Sequence, residues 1–172
     1  PFWANNPTQS INYVSCHDNY TLFDNFTVDV VDMNGETLSY ETAEAAAVQA
    51  ARYNRMAAAY YITAQGVPFI HAGEEMLRSK PKTDAEGNFA FDHNSYSSGD
   101  DVNSFKWAML QDDMVAASYD YYKGLIAFRK AHPTLRLPTN ETVQEQVHAM
   151  EGLEPNVVGF HLRGSADDPA AA

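Results

Sequence analysis

The sequence predicts an α/β fold in which short strands alternate with helices. Three features predict it: an apolar run beginning at Ile11, an alanine-rich helical pattern between about Glu41 and Gln65, and a second apolar run, "VPFIHAG", beginning at Val67. A strand, a helix and a further strand in this order form a βαβ unit with parallel strands. A second helical pattern follows, so the predicted order is βαβα.

The first strand is predicted over residues 11–16, where β-branched and aromatic residues are concentrated after the structure-breaking pair Asn6-Pro7. We expect this strand to be buried. Residues 23–40 mix apolar and acidic side chains and contain the turn signal Asn34-Gly35. This segment is therefore predicted to connect its neighbours rather than to pack as one element.

The first long helix is predicted over residues 41–65, with Glu41 and Glu44 near the positive end of its dipole and Gly66 just beyond its end. One stripe of residues recurs at helical spacing and is predicted to pack in the core rather than to bind a cofactor. Its members are Val48, Arg52, Met56, Ala59, Tyr60 and Thr63.

A polar stretch, residues 73–113, follows the second strand, and an unstructured loop of this length in a compact domain is usually functional. The second helix is predicted over residues 114–131 and ends at the breaker His132-Pro133. Residues 141–150 and 156–164 then alternate like two strands of a hairpin. We therefore predict two domains, an α/β domain over residues 1–133 and the beginning of an all-β domain over residues 134–172.

Composition and charge exclude several classes of protein. The chain is 45% hydrophobic and 20% charged, which is typical of a folded domain. A net charge of −12 with only 11 Lys and Arg argues against nucleic-acid binding, and no apolar run is long enough for a membrane span. Cys16 is the only cysteine, so no internal disulfide forms. An uncharged or cationic partner fits this charge best.

The beginning of the chain predicts a piece of a longer protein. It has no initiator methionine and no signal peptide, and a strand follows within a few residues. The compartment stays open between the bacterial cytoplasm and secretion of a soluble protein.

Polar groups follow both predicted strands at their carboxyl ends. His17, Asp18 and Asn19 follow the first strand, and His71, Glu74 and Glu75 end or follow the second. In parallel α/β folds this edge of the sheet carries the active site. The alternative is that His17 and Asp18 form a buried ion pair or cap a loop.

The polar stretch contains side chains suited to a sugar. Amides, hydroxyls and carboxylates pair with vicinal hydroxyls, while aromatic faces cover a sugar ring. The candidates are Asn94, Ser95, Tyr96, Ser97, Ser98, Asp100, Asp101 and Asn103, with Phe105 and Trp107 nearby. The alternative is an ordinary solvated loop, which has the same composition.

Three segments in this order, "INYVSCHDN", "QGVPFIHAGEEMLRSK" and "HNSYSSGDDVNSFKW", resemble type I pullulanases of the α-amylase clan of glycoside hydrolases. The resemblance covers about residues 9–131. It implies the C-terminal part of a (β/α)8 TIM barrel, with strands seven and eight and their helices. The hairpin would then begin a β-sandwich domain.

The resemblance implies roles for individual residues. His17 and Asp18 match the pair that binds the sugar at the cleavage point, and the aspartate stabilises the oxocarbenium-like transition state. Substrate-contacting or site-shaping positions match Asn19, Arg78, Asn94, Tyr96 and Asp100. Glu74 and Glu75 match a motif that we expect to organise loops rather than to react.

The resemblance also implies an activity and its partners. The longer enzyme would hydrolyse α-1,6 links in pullulan, branched starch or glycogen by a retaining mechanism. The motifs that carry the nucleophile and the general acid are absent here, so the isolated chain is expected to be inactive. Its unpaired strand edges predict self-association.

The sequence also bears on cofactors and on two alternative functions. No cofactor is expected in this chain, although the clan often binds calcium and a calcium ion in the longer enzyme stays an open alternative. A metal-dependent hydrolase would use His71, Glu74 and Glu75 with His17, Asp18 or His93. A further alternative is a polysaccharide-binding or interaction module without catalytic activity.

Overall fold

The computed structural model describes residues 4–164, and within them it contains six short strands and five α-helices. The strands are β1 (Ile11–Asn12), β2 (Val67–Pro68), β3 (Pro81–Thr83), β4 (Phe89–Phe91), β5 (Val147–Ala149) and β6 (Phe160–Leu162). The α-helices are α1 (Leu22–Met33), α2 (Tyr40–Thr63), α3 (Asp100–Asn103), α4 (Asp113–Ala131) and α5 (Asn140–Gln146). No helix in this part of the chain combines the length and apolar character needed to span a bilayer.

The strands β1 and β2 pair in parallel, with Ile11 opposite Val67 and Asn12 opposite Pro68, which confirms the predicted parallel pairing, although two helices rather than one lie between the strands. The predicted length and burial of the first strand are wrong, because β1 has two residues and Ile11 is 60% exposed. Within the described range each of these strands has a single neighbour, so one edge of each is left uncovered.

Helix α1 occupies much of the segment that was predicted to be a connection, and that prediction is wrong. The hydroxyl of Thr21 accepts the N–H of Asp24 and caps the helix. Val30 and Val31 pack against Ala46 of α2 in a buried cluster. The turn signal Asn34-Gly35 ends the helix instead of interrupting a loop.

Helix α2 confirms the predicted long helix, and a capping box between Ser39 and Thr42 begins it. Gly66 lies just beyond its end with φ of +98°, and a Cβ there would lie 2.7 Å from the carbonyl oxygen of Ser10. Only glycine allows this close approach beside β1 without strain. Gly66 therefore marks the end of α2 and the start of the second strand.

The predicted core stripe of α2 is wrong, because Val48, Met56 and Tyr60 are exposed. The buried face consists mainly of alanines and carries two larger apolar residues at its end. It comprises Ala43, Ala46, Ala50, Ala51, Ala58, Tyr61 and Ile62, together with the polar Asn54. Small side chains allow α1 and α4 to approach α2 closely, which the hydrophobic periodicity alone did not indicate.

Helix α4 confirms the second predicted helix, and Asp112 caps it by accepting the N–H groups of Met114 and Val115. The buried Arg129 near its end donates to the carbonyl oxygens of Ile62, Ala64 and Gly66 at 2.7–2.8 Å. These carbonyls lie at the end of α2 and just after it, where intrahelical partners are missing. Arg129 therefore joins the ends of α2 and α4 to the start of β2.

The stretch 73–113 is structured rather than an unstructured loop, and that prediction is corrected. It contains the antiparallel hairpin of β3 and β4, the short helix α3 and three 3₁₀ turns. Five 3₁₀ turns occur in the described residues: Pro7–Gln9, Glu74–Met76, Ser95–Ser97, Trp107–Gln111 and Pro133–Leu135.

The predicted C-terminal hairpin is confirmed in part. Strands β5 and β6 pair antiparallel, with Val147 opposite Leu162. The first half of the predicted strand is instead helix α5, which begins with a capping box between Thr139 and Thr142. The end of the chain, residues 165–172, lies outside the described residues.

Candidate active site

His17 and Asp18 lie beyond the carboxyl end of β1, and the segment around His71 follows the parallel strand β2. Nε2 of His17 lies 3.7 Å from Oδ1 of Asp18, and the two side chains are 86% and 78% exposed. The pair is therefore not a buried ion pair. Both side chains are open to a ligand from solvent.

The pKa of His71 is lowered to about 4. Partial burial is the largest cause, and the charges of Arg78, Lys80 and His17 add to it. His71 is therefore neutral at pH 7. The parallel pairing of β1 with β2 places the segments that follow the two strands, which carry His17 and His71, at the same edge of the sheet.

Asn19 adopts a left-handed backbone conformation with φ of 62°, which asparagine tolerates better than most residues. Its exposed side chain lies next to the His17–Asp18 pair in sequence. Tyr20 then packs edge-on against His93, with ring centroids 5.9 Å apart. This contact brings the loop after β1 close to the segment that carries Asn94.

The buried Lys80 anchors the loop that follows β1. Nζ of Lys80 donates to the carbonyl oxygen of His17 at 3.2 Å, and the backbone N–H of Lys80 donates to Asp24 at 2.9 Å. Asp24 also accepts the hydroxyl of Ser79. Burial raises the pKa of the Asp24 carboxyl to about 6, although these hydrogen bonds act in the opposite direction.

We expect Asp24→Asn to change how stability depends on pH. The folded protein keeps a proton on Asp24 that the unfolded chain releases above about pH 4, so wild-type stability falls as pH rises from about 4 to 6. The fall is at most about 1.4 kcal/mol per pH unit, and the variant should lack it. Urea unfolding of the full-length protein at pH 4, 5, 6 and 7 measures the difference. Parallel profiles for wild type and variant would contradict the expectation.

Glu74 is buried and accepts three hydroxyl groups from three parts of the chain. Its Oε1 accepts Tyr61 at 2.6 Å and Tyr122 at 2.8 Å, and its Oε2 accepts Ser15 at 2.6 Å. Glu75 accepts the N–H of Gly73 instead. Both glutamates therefore accept hydrogen bonds from the protein itself.

The metal-dependent alternative gains no support from this arrangement. Among residues 4–164 no group of three or more His, Cys, Asp or Glu side chains is placed to hold a metal ion. Burial and the Glu74 carboxylate raise the pKa values of Tyr61 and Tyr122, so both phenols stay protonated and act as donors. Both oxygens of the Glu74 carboxylate thus accept hydrogen bonds from hydroxyl groups.

The Arg78 guanidinium is engaged by the protein itself. It donates to the carbonyl oxygens of Asn103 at 2.6 Å and Ala72 at 3.3 Å, and its Cζ lies 4.7 Å from the centre of the Phe105 ring. Gly73, with φ of +94°, leaves room for it, since a Cβ there would lie 2.7 Å from Cδ of Arg78. The contacts of the Arg78 guanidinium are therefore with neighbouring groups of the protein.

The segment with Asn94, Tyr96 and Asp100 exposes all three side chains, and Tyr96 is 88% exposed. The buried Asp92 holds this segment by accepting the N–H of Asn94 at 3.0 Å and the hydroxyl of Ser98 at 2.6 Å. Hydrogen bonds from Ser98, Lys82 and Asn94 lower the pKa of Asp92 to about 2 despite the opposing effect of burial.

Four residues that hold the loops of the candidate site were not predicted for that role from the sequence. They are Asp24, Lys80, Asp92 and Asn103. The amide of Asn103 donates to the carbonyl oxygens of Ser95 and Ser98. The only available signal was that Lys80, Asp92 and Asn103 lie within or beside the segments that resemble a known family. Asp24 gave no signal, because it lies on a helix that was not predicted.

Comparison with known proteins finds pullulanases among the relatives of this chain. A pullulanase of Bacillus subtilis is 31% identical over 156 residues, covering 91% of this chain and 18% of the relative. Pullulanase A of Streptococcus pneumoniae serotype 2 is 30% identical over 97% of this chain and 16% of its own length. The chain therefore spans less than a fifth of these two relatives. No family model matches it.

Solved structures agree with the sequence relatives. The catalytic module of the multi-modular glycogen-degrading pneumococcal virulence factor SpuA, in complex with an inhibitor, superposes with a TM-score of 0.74 at 28% identity. It is matched over 93% of this chain and 27% of its own chain. A pullulanase from Bacillus acidopullulyticus gives a TM-score of 0.71 at 32% identity, over 92% of this chain and 17% of its own. The homologues of the chain are pullulanases, so the resemblance is confirmed, and the chain has the fold of an α/β glycoside hydrolase fragment.

Proposed function

We propose that this chain, whose homologues are pullulanases, is part of a glycoside hydrolase that cleaves α-1,6 links in pullulan, branched starch or glycogen with retention of configuration. The observation that carries the proposal is the exposed His17–Asp18 pair at the carboxyl end of β1. This edge is where active sites of parallel α/β folds lie. The acidic chain, with a net charge of −12, suits an uncharged glucan.

In this proposal residues 1–133 supply strands seven and eight of a (β/α)8 TIM barrel with their helices, and residues 134–172 begin a C-terminal all-β domain. The parallel pairing of β1 with β2 and the antiparallel pairing of β5 with β6 support this division. The break at His132-Pro133, where α4 ends, supports the boundary.

Asp18 is the catalytic residue of this chain in the proposal, and His17 assists it. A glycosidase transition state carries positive charge at the anomeric carbon, and an exposed carboxylate can face that charge. His17 would bind a hydroxyl of the same sugar. Contacts that strengthen as the ring flattens lower the barrier rather than only increasing ground-state affinity.

Five further residues are proposed to bind or frame the substrate. Asn19, Asn94, Tyr96 and Asp100 offer exposed amide, phenol and carboxylate groups for sugar hydroxyls and rings. Arg78 would frame the site through its contacts with Asn103 and Phe105 rather than bind sugar with its whole guanidinium.

The chemistry requires two further carboxyl groups. A retaining glycosidase needs a nucleophile and a general acid about 5–5.5 Å apart. We assign both to a part of the protein outside these 172 residues, so the chain by itself should not hydrolyse pullulan.

The full-length protein tests the proposal. We expect it to release short α-1,4-linked products from pullulan and to leave linear amylose intact, and ¹H NMR at early times should show the retained anomer. Activity on neither pullulan nor branched starch would remove the proposal. Binding of pullulan without hydrolysis would instead support the polysaccharide-binding alternative.

We expect the isolated 172-residue chain to self-associate. Ile11, Tyr13 and Phe69 are exposed around β1 and β2, and Met56 and Tyr60 are exposed on α2. Uncovered apolar surface costs about 25 cal/mol per Å², and unpaired strand edges favour association. Light scattering coupled to size-exclusion chromatography at low micromolar concentration measures the assembly. A cooperatively folding monomer would contradict this expectation.

A further inference from the structure

The contact between Glu74 and Ser15 lies outside the site residues assigned above, yet it reaches the loop that carries them. Ser15 is two residues before His17, and its hydroxyl donates to Oε2 of Glu74 at 2.6 Å. Glu74 is itself only 4% exposed. The distance is at the short end of the usual range for O–H···O hydrogen bonds, and the accepting carboxyl group is buried.

Two further hydrogen bonds, besides the one from Ser15, fix the position of the Glu74 carboxylate. Its other oxygen, Oε1, accepts Tyr61 from α2 and Tyr122 from α4. Among residues 4–164, no Lys, Arg or His side chain lies within ion-pair distance of Glu74. A buried carboxylate without a cation depends on its hydrogen bonds, so these helices fix where the carboxylate lies.

A second anchor acts on the other side of Cys16. The buried Lys80 donates to the carbonyl oxygen of His17, and Asp24 of α1 accepts the N–H of Lys80. The backbone from Ser15 to His17 is thus held at both ends, by Glu74 in the 3₁₀ turn Glu74–Met76 and by Lys80 just before β3.

We infer that Glu74 is a positioning residue, which acts through Ser15 to hold the loop that presents Asp18 to the substrate. The inference rests on the proposed function for its catalytic consequence. The loop after β1 makes no strand pairing beyond Asn12. The hydrogen bonds of Ser15 with Glu74 and of the His17 carbonyl oxygen with Lys80 therefore hold it in place of backbone pairing between strands. Loss of the Ser15 anchor should displace Asp18 while the helices keep Glu74 in place.

The experiment uses the full-length protein with Ser15→Ala, the rescuing variant Ser15→Thr and the matched control Ser118→Ala. Ser118 is fully buried, accepts from Arg55 at 2.8 Å and donates to Met114 at 3.0 Å, far in sequence from the loop. It reports what loss of a buried serine hydroxyl does in general. Ser15→Ala leaves Glu74 with both tyrosine donors, so the fold should be retained.

Two readouts are measured. The first is kcat and KM on pullulan. The second is the rate at which iodoacetamide alkylates Cys16, the half-buried thiol between the two anchors, followed by mass spectrometry of its peptide. The second readout requires no enzymatic activity.

We expect Ser15→Ala to lower kcat about tenfold with little change in KM, as expected for a misplaced catalytic group, and to accelerate Cys16 alkylation several-fold. Ser15→Thr should restore both, and Ser118→Ala should change neither. In an Asp18→Asn background Ser15→Ala should cause no further loss of kcat, because its effect passes through Asp18.

Unchanged kcat in Ser15→Ala overturns the positioning role, whatever the alkylation rate. Equal losses in Ser15→Ala and Ser118→Ala also overturn it, because they would reflect stability alone. If wild-type protein does not hydrolyse pullulan, the proposed function fails, and Cys16 alkylation alone decides whether Glu74 anchors the loop.

Discussion

Asp18→Asn in the full-length protein should lower kcat and kcat/KM together by a factor on the order of 10³ or more, with KM little changed. The amide has almost the same shape as the carboxylate and keeps its hydrogen-bonding capacity toward sugar hydroxyls. It lacks the negative charge that faces the developing oxocarbenium ion. Because that charge develops only in the transition state, its loss affects the rate rather than ground-state binding. Steady-state kinetics on pullulan measures both constants.

His17→Ala provides the comparison. A hydrogen bond from a histidine to a sugar hydroxyl is worth less than a carboxylate that faces a cation, so this variant should lose clearly less activity. Unfolding midpoints should stay close to wild type for both variants, because the two side chains are largely exposed. A variant Asp18→Asn that raised only KM would show that Asp18 binds substrate without stabilising the transition state.

Arg129→Met should lower the free energy of unfolding by about 3–5 kcal/mol. The guanidinium donates to three carbonyl oxygens, those of Ile62, Ala64 and Gly66, and methionine supplies no donor for them. Each of these is a hydrogen bond to a charged group, and the carbonyls lie where helix α2 has no further backbone donors. Urea denaturation of the full-length protein at pH 7 measures the change.

Arg136→Met is the matched control. Arg136 also donates to backbone carbonyls near the end of α4, those of Arg129 and Lys130, but its side chain is exposed. Its replacement removes the same charge and should cost less than about 1 kcal/mol. Arg129→Lys should resemble Arg129→Met more than wild type, since an ammonium group cannot reproduce the planar fork that reaches three carbonyls. Equal destabilisation by Arg129→Met and Arg136→Met would contradict the structural role of Arg129.

The long elements of the fold could be predicted because their signals are local and repeated. Helices α2 and α4 follow from helix-forming composition and from the breaks at Gly66 and Pro133, and the strand order follows from two apolar runs. Helix α1 could not be predicted in the same way, because its exposed Asp29 and Asp32 interrupt the apolar pattern. Its Val30 and Val31 are buried against Ala46 of α2, a tertiary contact that the local hydrophobic pattern does not show.

Burial was predicted less well than helicity. Large apolar residues such as Met56 and Tyr60 were expected inside, yet the alanines of α2 are buried and these residues are exposed. Hydropathy ranks a side chain by its own transfer energy and ignores how closely a neighbouring helix can approach. The polar groups at the strand ends could be named from the sequence, whereas the contact between Asp24 and Lys80 could not, because 56 residues separate these hydrogen-bonding partners.

The alanine face of α2 also bears on how stability changes with temperature. Heat capacity of unfolding grows with the apolar area that becomes exposed, and a methyl group contributes little area per residue. The contacts that α2 makes through Ala46, Ala50 and Ala58 rest on close approach and dispersion rather than on large buried side chains. The stability curve of the layer formed by α1, α2 and α4 should therefore be flatter than that of a leucine-rich layer of equal length, with weaker loss of stability on cooling.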